Sequence, residues 1–206
     1  MFFSLDGIDG TGKSTQLALC EAWLRGLGHD VVTCRDPGST PLGESIRGIL
    51  LDSRDTPISR TAEMLLYMAA RAQLVAEVIR PALAAGKTVL ADRFLLANVV
   101  YQGHAGGLDV DELWRIGRTA TAGIEPNLAI VLDMSPDSAR ARLTRPLDRM
   151  ELEGAEFQRR LRQGFLAEAG RRPEQIVVID AARDVAVVQA DIQRAFETRL
   201  IPTASD

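Results

Sequence analysis

Short, nearly continuous apolar runs alternate along the chain with longer segments whose apolar residues recur every three or four positions. The runs cover residues 2–6, 30–34, 88–92, 127–133 and 175–180. Continuous apolar runs of this length are the mark of strands buried on both faces. Asp92, Asp133 and Asp180 close three of them, and the first closes at Asp6 before a glycine. The intervening segments predict helices over 13–28, 41–51, 59–85, 110–122, 138–169 and 185–200. Leu17, Cys20, Trp23, Leu24 and Leu27 mark one face of the first, and Gly28 is a natural stop. Ser59 is a natural N-cap for the third, with a kink expected at Pro81 and a stop at Gly86; Pro146 should break the fifth. Strand–helix alternation predicts an α/β fold: a doubly wound, five-stranded parallel sheet flanked by helices, with ligands at the carboxyl ends of the strands.

Composition narrows the field. The 206 residues suit one domain, and 46% hydrophobic with 25% charged excludes disorder as the main state. No apolar run approaches the ~20 residues of a membrane span. The opening MFFSLDGIDG lacks the basic start of a signal peptide. Cys20 and Cys34 are the only cysteines, too few for a zinc cluster, so a reduced, cytoplasmic chain is expected. A net charge of −4 gives no reason to expect nucleic acid as a partner. Among 24 basic residues only Lys13 and Lys87 are lysines, which draws attention to position 13.

Directly after the first strand stands Gly7-Ile8-Asp9-Gly10-Thr11-Gly12-Lys13-Ser14, which fits G-x-x-x-x-G-K-[ST]. Glycines let successive N–H groups turn inward as an anion nest, and the next helix aims its positive end at the same place. Gly7, Gly10, Thr11, Gly12, Lys13, Ser14 and Thr15 are thus the candidate phosphate-binding set. Lys13 can reach the β- and γ-phosphates, and Ser14 can ligate Mg²⁺. The base-reading N-K-x-D of a GTPase and the Asp-Glu strand end of an AAA-type ATPase are missing. Instead, the third strand ends Asp92-Arg93-Phe94. Asp92 can hold the metal through water, and Arg93 can grip a second phosphate in a bidentate fork. A phosphotransferase with two anionic substrates follows.

Further motifs follow the phosphate loop in order over about 2–180: Arg35-Asp36-Pro37-Gly38-Ser39-Thr40 with Gly43-Glu44-Ser45-Ile46-Arg47; Leu65 to Arg71; Asp92-Arg93-Phe94 with Tyr101-Gln102-Gly103; Pro126-Asn127-Leu128; and Asp148-Arg149-Met150-Glu151 leading to Phe157. In these residues the chain resembles the thymidylate kinase family of P-loop nucleoside monophosphate kinases. The resemblance implies transfer of the γ-phosphate of Mg·ATP to dTMP, giving dTDP for dTTP synthesis. The alternative is a kinase of the same fold with another nucleotide or deoxynucleoside as acceptor. It also implies a single kinase domain over 1–206, a dTMP-binding segment about 36–71, a lid about 140–156, and a homodimer.

Residue by residue, the resemblance assigns Asp9 to positioning the acceptor phosphate and the metal. Arg35, Arg47 and Arg93 converge on the dTMP phosphate, whose dianion needs neutralising before another phosphate approaches. Asp36 falls in the same segment. Tyr67, where the family usually has Phe, stacks on thymine, and Arg71 donates to a base carbonyl. Asn98 and Gln102 read the thymine edge, with Ala97 in place of a common serine. Tyr101 crowds the sugar 2′ position. The loop position that carries an arginine in one branch of the family is Gly10, which points to a lid arginine. Arg145 and Arg142 are candidates for it, and Arg149 matches the Asp-Arg-x-Glu lid motif. The catalytic set expected is Asp9, Lys13, Arg93, Arg145 and Arg149, with Ser14 and Asp92 on the metal. Arg159, Arg160 and Arg162 read instead as a solvated helix face.

Overall fold

The computed structural model describes residues 1–52, 57–144 and 149–200. Five strands form one sheet: β1 (Phe2–Asp6), β2 (Val31–Arg35), β3 (Thr88–Asp92), β4 (Leu128–Asp133) and β5 (Ile176–Asp180). Their order is β2-β3-β1-β4-β5, and every pairing is parallel. The three central strands are buried, two of them up to their closing aspartates, while the edge strands β2 and β5 alternate in exposure. That is the burial a helix-covered parallel sheet requires. The predicted strands are found within one residue at each start. Val31–Arg35 runs one residue past the expected end, so Arg35 finishes β2.

The helices are α1 (Lys13–Gly26), α2 (Pro41–Asp52), α3 (Arg60–Leu74), α4 (Arg80–Ala84), α5 (Leu95–Asn98), α6 (Val110–Ala120), α7 (Pro136–Ala141), α8 (Ala155–Arg171) and α9 (Val185–Leu200). Ser59 caps α3 as expected, its Oγ accepting from Ala62 N at 3.2 Å. The core runs across the sheet into α9, where Phe3 stacks on Phe196 with centroids 4.1 Å apart.

Two helical expectations change, and one further helical segment was not expected. The long helix at 59–85 is interrupted by a π-helical turn, Val75–Ile79, before Pro81 in the first turn of α4. Proline lacks an N–H and its ring excludes the carbonyl four residues back, and a wider turn makes room for both. The segment after β3 is helical through a second π turn, Val99–Ala105, although its glycines suggest a loop. Among the described residues of 138–169, α7 ends at Ala141, a 3-10 turn covers Glu151–Glu153, and α8 starts after Gly154, whose φ of +93° ends any helix; the expected break at Pro146 lies outside the described residues.

The strand order reverses beside β1, whose neighbours are β3 and β4. The connections leaving their carboxyl ends part there and open a crevice. The loop after β1, Arg93 after β3 and α7 after β4 all meet at it.

Candidate active site

The loop from Gly7 to Gly12 is built on backbone that side chains rarely adopt, with φ of +131° at Gly7, +87° at Gly10 and +92° at Gly12. Space is as restrictive as torsion. A Cβ on Gly7 would stand 2.6 Å from the Leu132 carbonyl oxygen. Lys13 folds back over the loop, donating to Gly7 O (3.1 Å) and Ile8 O (2.8 Å), with Asp9 Oδ1 3.5 Å away. Burial and then the neighbouring Arg93 lower its pKa. Beneath it, Asp6 takes a hydrogen bond from Ser4 Oγ at 3.0 Å, and burial raises its pKa to about 6 against the pull of Arg93.

Two cavities meet at this crevice. The larger, of about 660 Å³, is lined by the loop through Gln16, by Arg35 and Asp92, and at its far end by Arg142, Ala181, Arg183, Val185 and Val188. The smaller, of about 100 Å³, is lined by Pro37, Leu51, Tyr67, Arg71, Ala97, Asn98, Tyr101, Gln102 and Met150. Asp9, Asp36, Arg47 and Arg93 line both.

This junction is tightly braced. Arg93 sits at φ +66°, a strained conformation for a residue with a side chain. Its guanidinium donates to Gly7 O at 2.8 Å and Asp9 Oδ1 at 2.7 Å, and it lies 5.1 Å over the Tyr101 ring. Tyr101 Oη donates to Asp9 Oδ2 at 3.4 Å. Burial works against the Arg93 charge, but Asp9, Tyr101, Asp92 and Asp6 hold its pKa well above the usual arginine value. Arg47 donates to Pro37 O at 3.1 Å, and burial followed by Arg35 lowers its pKa.

Under the smaller cavity runs a chain of buried polar groups. Arg71, 1% exposed, donates through Nε to Asp36 Oδ2 at 2.5 Å and through Nη1 to Asn98 Oδ1 at 2.9 Å. Asn98 Nδ2 donates to Gln102 Oε1 at 2.5 Å, and Gln102 Nε2 donates to Glu63 Oε1 at 2.8 Å. Glu63 also accepts from Arg60 and from Arg149, and Arg149 Nε reaches Leu50 O at 2.8 Å. Asp36 Oδ1 is buried with no partner among the described residues, and burial raises the pKa of this carboxyl.

The structure therefore gathers most of the expected residues at one place. Arg35 lines only the larger cavity, and its guanidinium is engaged by Glu44 at 3.1 Å. Arg149 lines neither cavity, because Glu63 and Leu50 hold it. Arg145 lies outside the described residues. Arg162 makes a bidentate pair with Asp133, at 2.7 and 2.8 Å, rather than pointing freely to solvent. Sequence reasoning missed Glu63, a first-turn glutamate that passes for ordinary helix-dipole compensation. It also missed Arg183 and Val185, although their place after β5 is at the carboxyl edge of the sheet.

Residues 5–192 match the sequence model of the thymidylate kinase family. The chain belongs to the thymidylate kinase family. A thymidylate kinase of Leifsonia xyli is 46% identical over 204 residues, covering 97% of this chain and 96% of its own length. Those of Symbiobacterium thermophilum and Deinococcus radiodurans are 44% and 43% identical, covering 96% and 97% of this chain and 92% and 97% of their own lengths. A crystal structure of thymidylate kinase from Ehrlichia chaffeensis superposes with a TM-score of 0.79 at 27% identity, covering 96% of this chain and 98% of that one. As a thymidylate kinase family enzyme it is a transferase that phosphorylates dTMP in the synthesis of dTTP, and the family uses ATP as donor. No helix among the described residues is long and apolar enough to cross a membrane.

Proposed function

We propose that the two cavities are the two substrate sites and that phosphate passes between them at the junction of Asp9, Arg47 and Arg93. The observation that carries this reading is the junction itself: these residues line both cavities. ATP lies in the larger cavity with its phosphates on Gly7, Gly10, Thr11, Gly12, Lys13, Ser14 and Thr15. Its base reaches toward Ala181, Arg183 and Val185. dTMP lies in the smaller cavity, its ring beside Tyr67, Arg71, Asn98 and Gln102, its sugar against Tyr101. The unpartnered Asp36 Oδ1 is free to accept from the sugar hydroxyl. Arg35 adds positive charge from the rim.

Mg²⁺ fits this site. Among the described residues no cluster of three or more His, Cys, Asp or Glu side chains could hold a metal alone, which suits an ion that keeps its waters and binds mainly substrate phosphates. Asp92 Oδ1 is buried without a partner among the described residues, and Ser14 is exposed in the larger cavity. Ser14 directly, and Asp92 through water, would hold the ion. When bound it neutralises charge on the β- and γ-phosphates.

The attacking oxygen of dTMP is already an anion, so the site needs no strong base. Arg93 and Arg47 neutralise the acceptor phosphate, and Asp9 orients Arg93. Lys13 leaves its loop carbonyls for the incoming phosphates. Arg145 completes the charge from the lid (about 140–156), with Arg142 as the alternative. Arg149 serves the transfer from a distance, by clamping that lid against the acceptor segment (about 36–71). Met150 in the acceptor cavity supports one closing unit within one kinase domain. The enzyme works as a homodimer in the cytoplasm. The half-exposed Leu65 on α3, together with two buried free thiols, supports that placement. Arg93→Ala tests the junction. Turnover with dTMP should fall by about 10²–10³-fold while binding of a fluorescent ATP analogue stays within about threefold. Full turnover in Arg93→Ala would refute the junction.

A further inference from the structure

We propose that Glu63 is a positioning residue for the acceptor base: it sets the direction of the Gln102 and Asn98 amides, and so selects a ring carbonyl over an amino group. The inference rests on reading Asn98 and Gln102 as the residues that meet the base. Glu63 is fully buried in the first turn of α3, and both its oxygens are engaged. Paired with two guanidinium groups, it is a carboxylate and can only accept.

The consequence propagates one way. Gln102 must turn its NH₂ toward Glu63, at 2.8 Å, which leaves its oxygen for Asn98. Asn98 must then turn its NH₂ toward Gln102, at 2.5 Å, which leaves its oxygen for Arg71, at 2.9 Å. A carboxylate at one end and a guanidinium at the other thus hold two amides that could otherwise rotate by half a turn. Asn98 lines the smaller cavity, and its NH₂ keeps a second hydrogen while its Oδ1 keeps a second lone pair. Held in this direction, the amide offers N–H to the O4 carbonyl and its oxygen to the N3–H of thymine or uracil. Cytosine, with a 4-amino group beside a bare N3, presents the opposite order of donor and acceptor. A buried polar group left unpaired discriminates strongly, because its desolvation is not repaid. The second oxygen of Glu63 holds Arg149, so the same carboxylate ties the base readers to the lid.

Steady-state kinetics with dTMP and dCMP test this in the full-length enzyme. In Glu63→Gln the amide at the end of the chain can donate as well as accept. The KM for dTMP should rise about tenfold, with the KM for ATP changing by less than about threefold. The dTMP-to-dCMP ratio of kcat/KM should shrink about tenfold. The exchange Glu63→Gln/Gln102→Glu puts the carboxylate next to Asn98, again accepting its NH₂, and should restore most of that ratio. Asn98→Asp, which can no longer donate, should shift preference toward dCMP and reports on the base reading alone. A normal ratio in Glu63→Gln with a shifted ratio in Asn98→Asp would overturn the role of Glu63 and keep the base reading. Normal ratios in both would overturn both. Should Glu63→Gln fail to fold, the exchanged variant decides: a retained ratio supports the role, and a lost one refutes it.

Discussion

Gly10 and Ala139 stand in backbone contact. A Cβ on Gly10 would lie 2.1 Å from the Ala139 carbonyl oxygen, an overlap neither backbone can relieve. The glycine-rich loop and helix α7 are thereby packed without a side chain between them. A charged side chain at position 10 has no room, which supports the proposal that charge on the transferring phosphoryl group is met from elsewhere in the site.

The contact makes Gly10→Ala a severe change. It forces a Cβ into the Ala139 carbonyl and a φ of +87° on a residue that disfavours it. Loss of about 2–4 kcal/mol of stability is expected, read from urea unfolding curves. A variant as stable as the parent would show that α7 does not sit against the loop in solution.

Lys13 donates to two loop carbonyls, Gly7 O and Ile8 O. Lys13→Ala should leave dTMP binding, followed by calorimetry, nearly unchanged, while kcat falls by at least about 10²–10³-fold. A large loss of dTMP affinity would mean that Lys13 shapes the acceptor site as well.

The lid arginine has its own signature. Arg145→Ala should lower kcat by about 10³-fold or more with little effect on dTMP affinity, as expected of a group that acts only on the transferring phosphoryl. If kcat is unchanged, Arg142 becomes the first alternative. It already borders the larger cavity and donates to Ala181 O at 3.2 Å, whereas Arg149 is occupied by Glu63.

Asp6 makes a pH prediction. Its folded pKa of about 6 lies above the unfolded value of 3.8, because burial disfavours the charge. Between those values the folded state holds the proton and the unfolded state does not, so this group's contribution to stability falls as pH rises. Asp6→Asn removes that slope. Relative to the parent, the variant should gain roughly 3 kcal/mol of unfolding free energy between pH 3.5 and pH 7, in paired denaturant titrations. A difference that does not change with pH would refute the shift.

Much of this was legible in the residues. The strands announce themselves by continuous apolar runs, and the loop by glycines whose torsions the structure requires. The helix at 95–105 was not legible. Leu95, Leu96, Val99 and Val100 are buried with all the rest of that segment but His104, so no 3.6-residue stripe survives, and Gly103 and Gly106 suggest a loop. Gly103 is needed there for a different reason: a Cβ would lie 2.8 Å from Leu113. Glu63 was invisible because its partners, Gln102 and Arg149, are 39 and 86 residues away, and only the fold brings them to one carboxylate.

The most direct test of the account is ADP release from Mg·ATP with dTMP, dUMP, ribo-TMP, dCMP, AMP and thymidine offered separately. The arrangement of Tyr67, Arg71, Asn98 and Tyr101 around the smaller cavity predicts the highest kcat/KM for dTMP, poor use of ribo-TMP and dCMP, and none of thymidine, which brings no phosphate to Arg47 and Arg93. A higher kcat/KM for dCMP, AMP or ribo-TMP than for dTMP would contradict it.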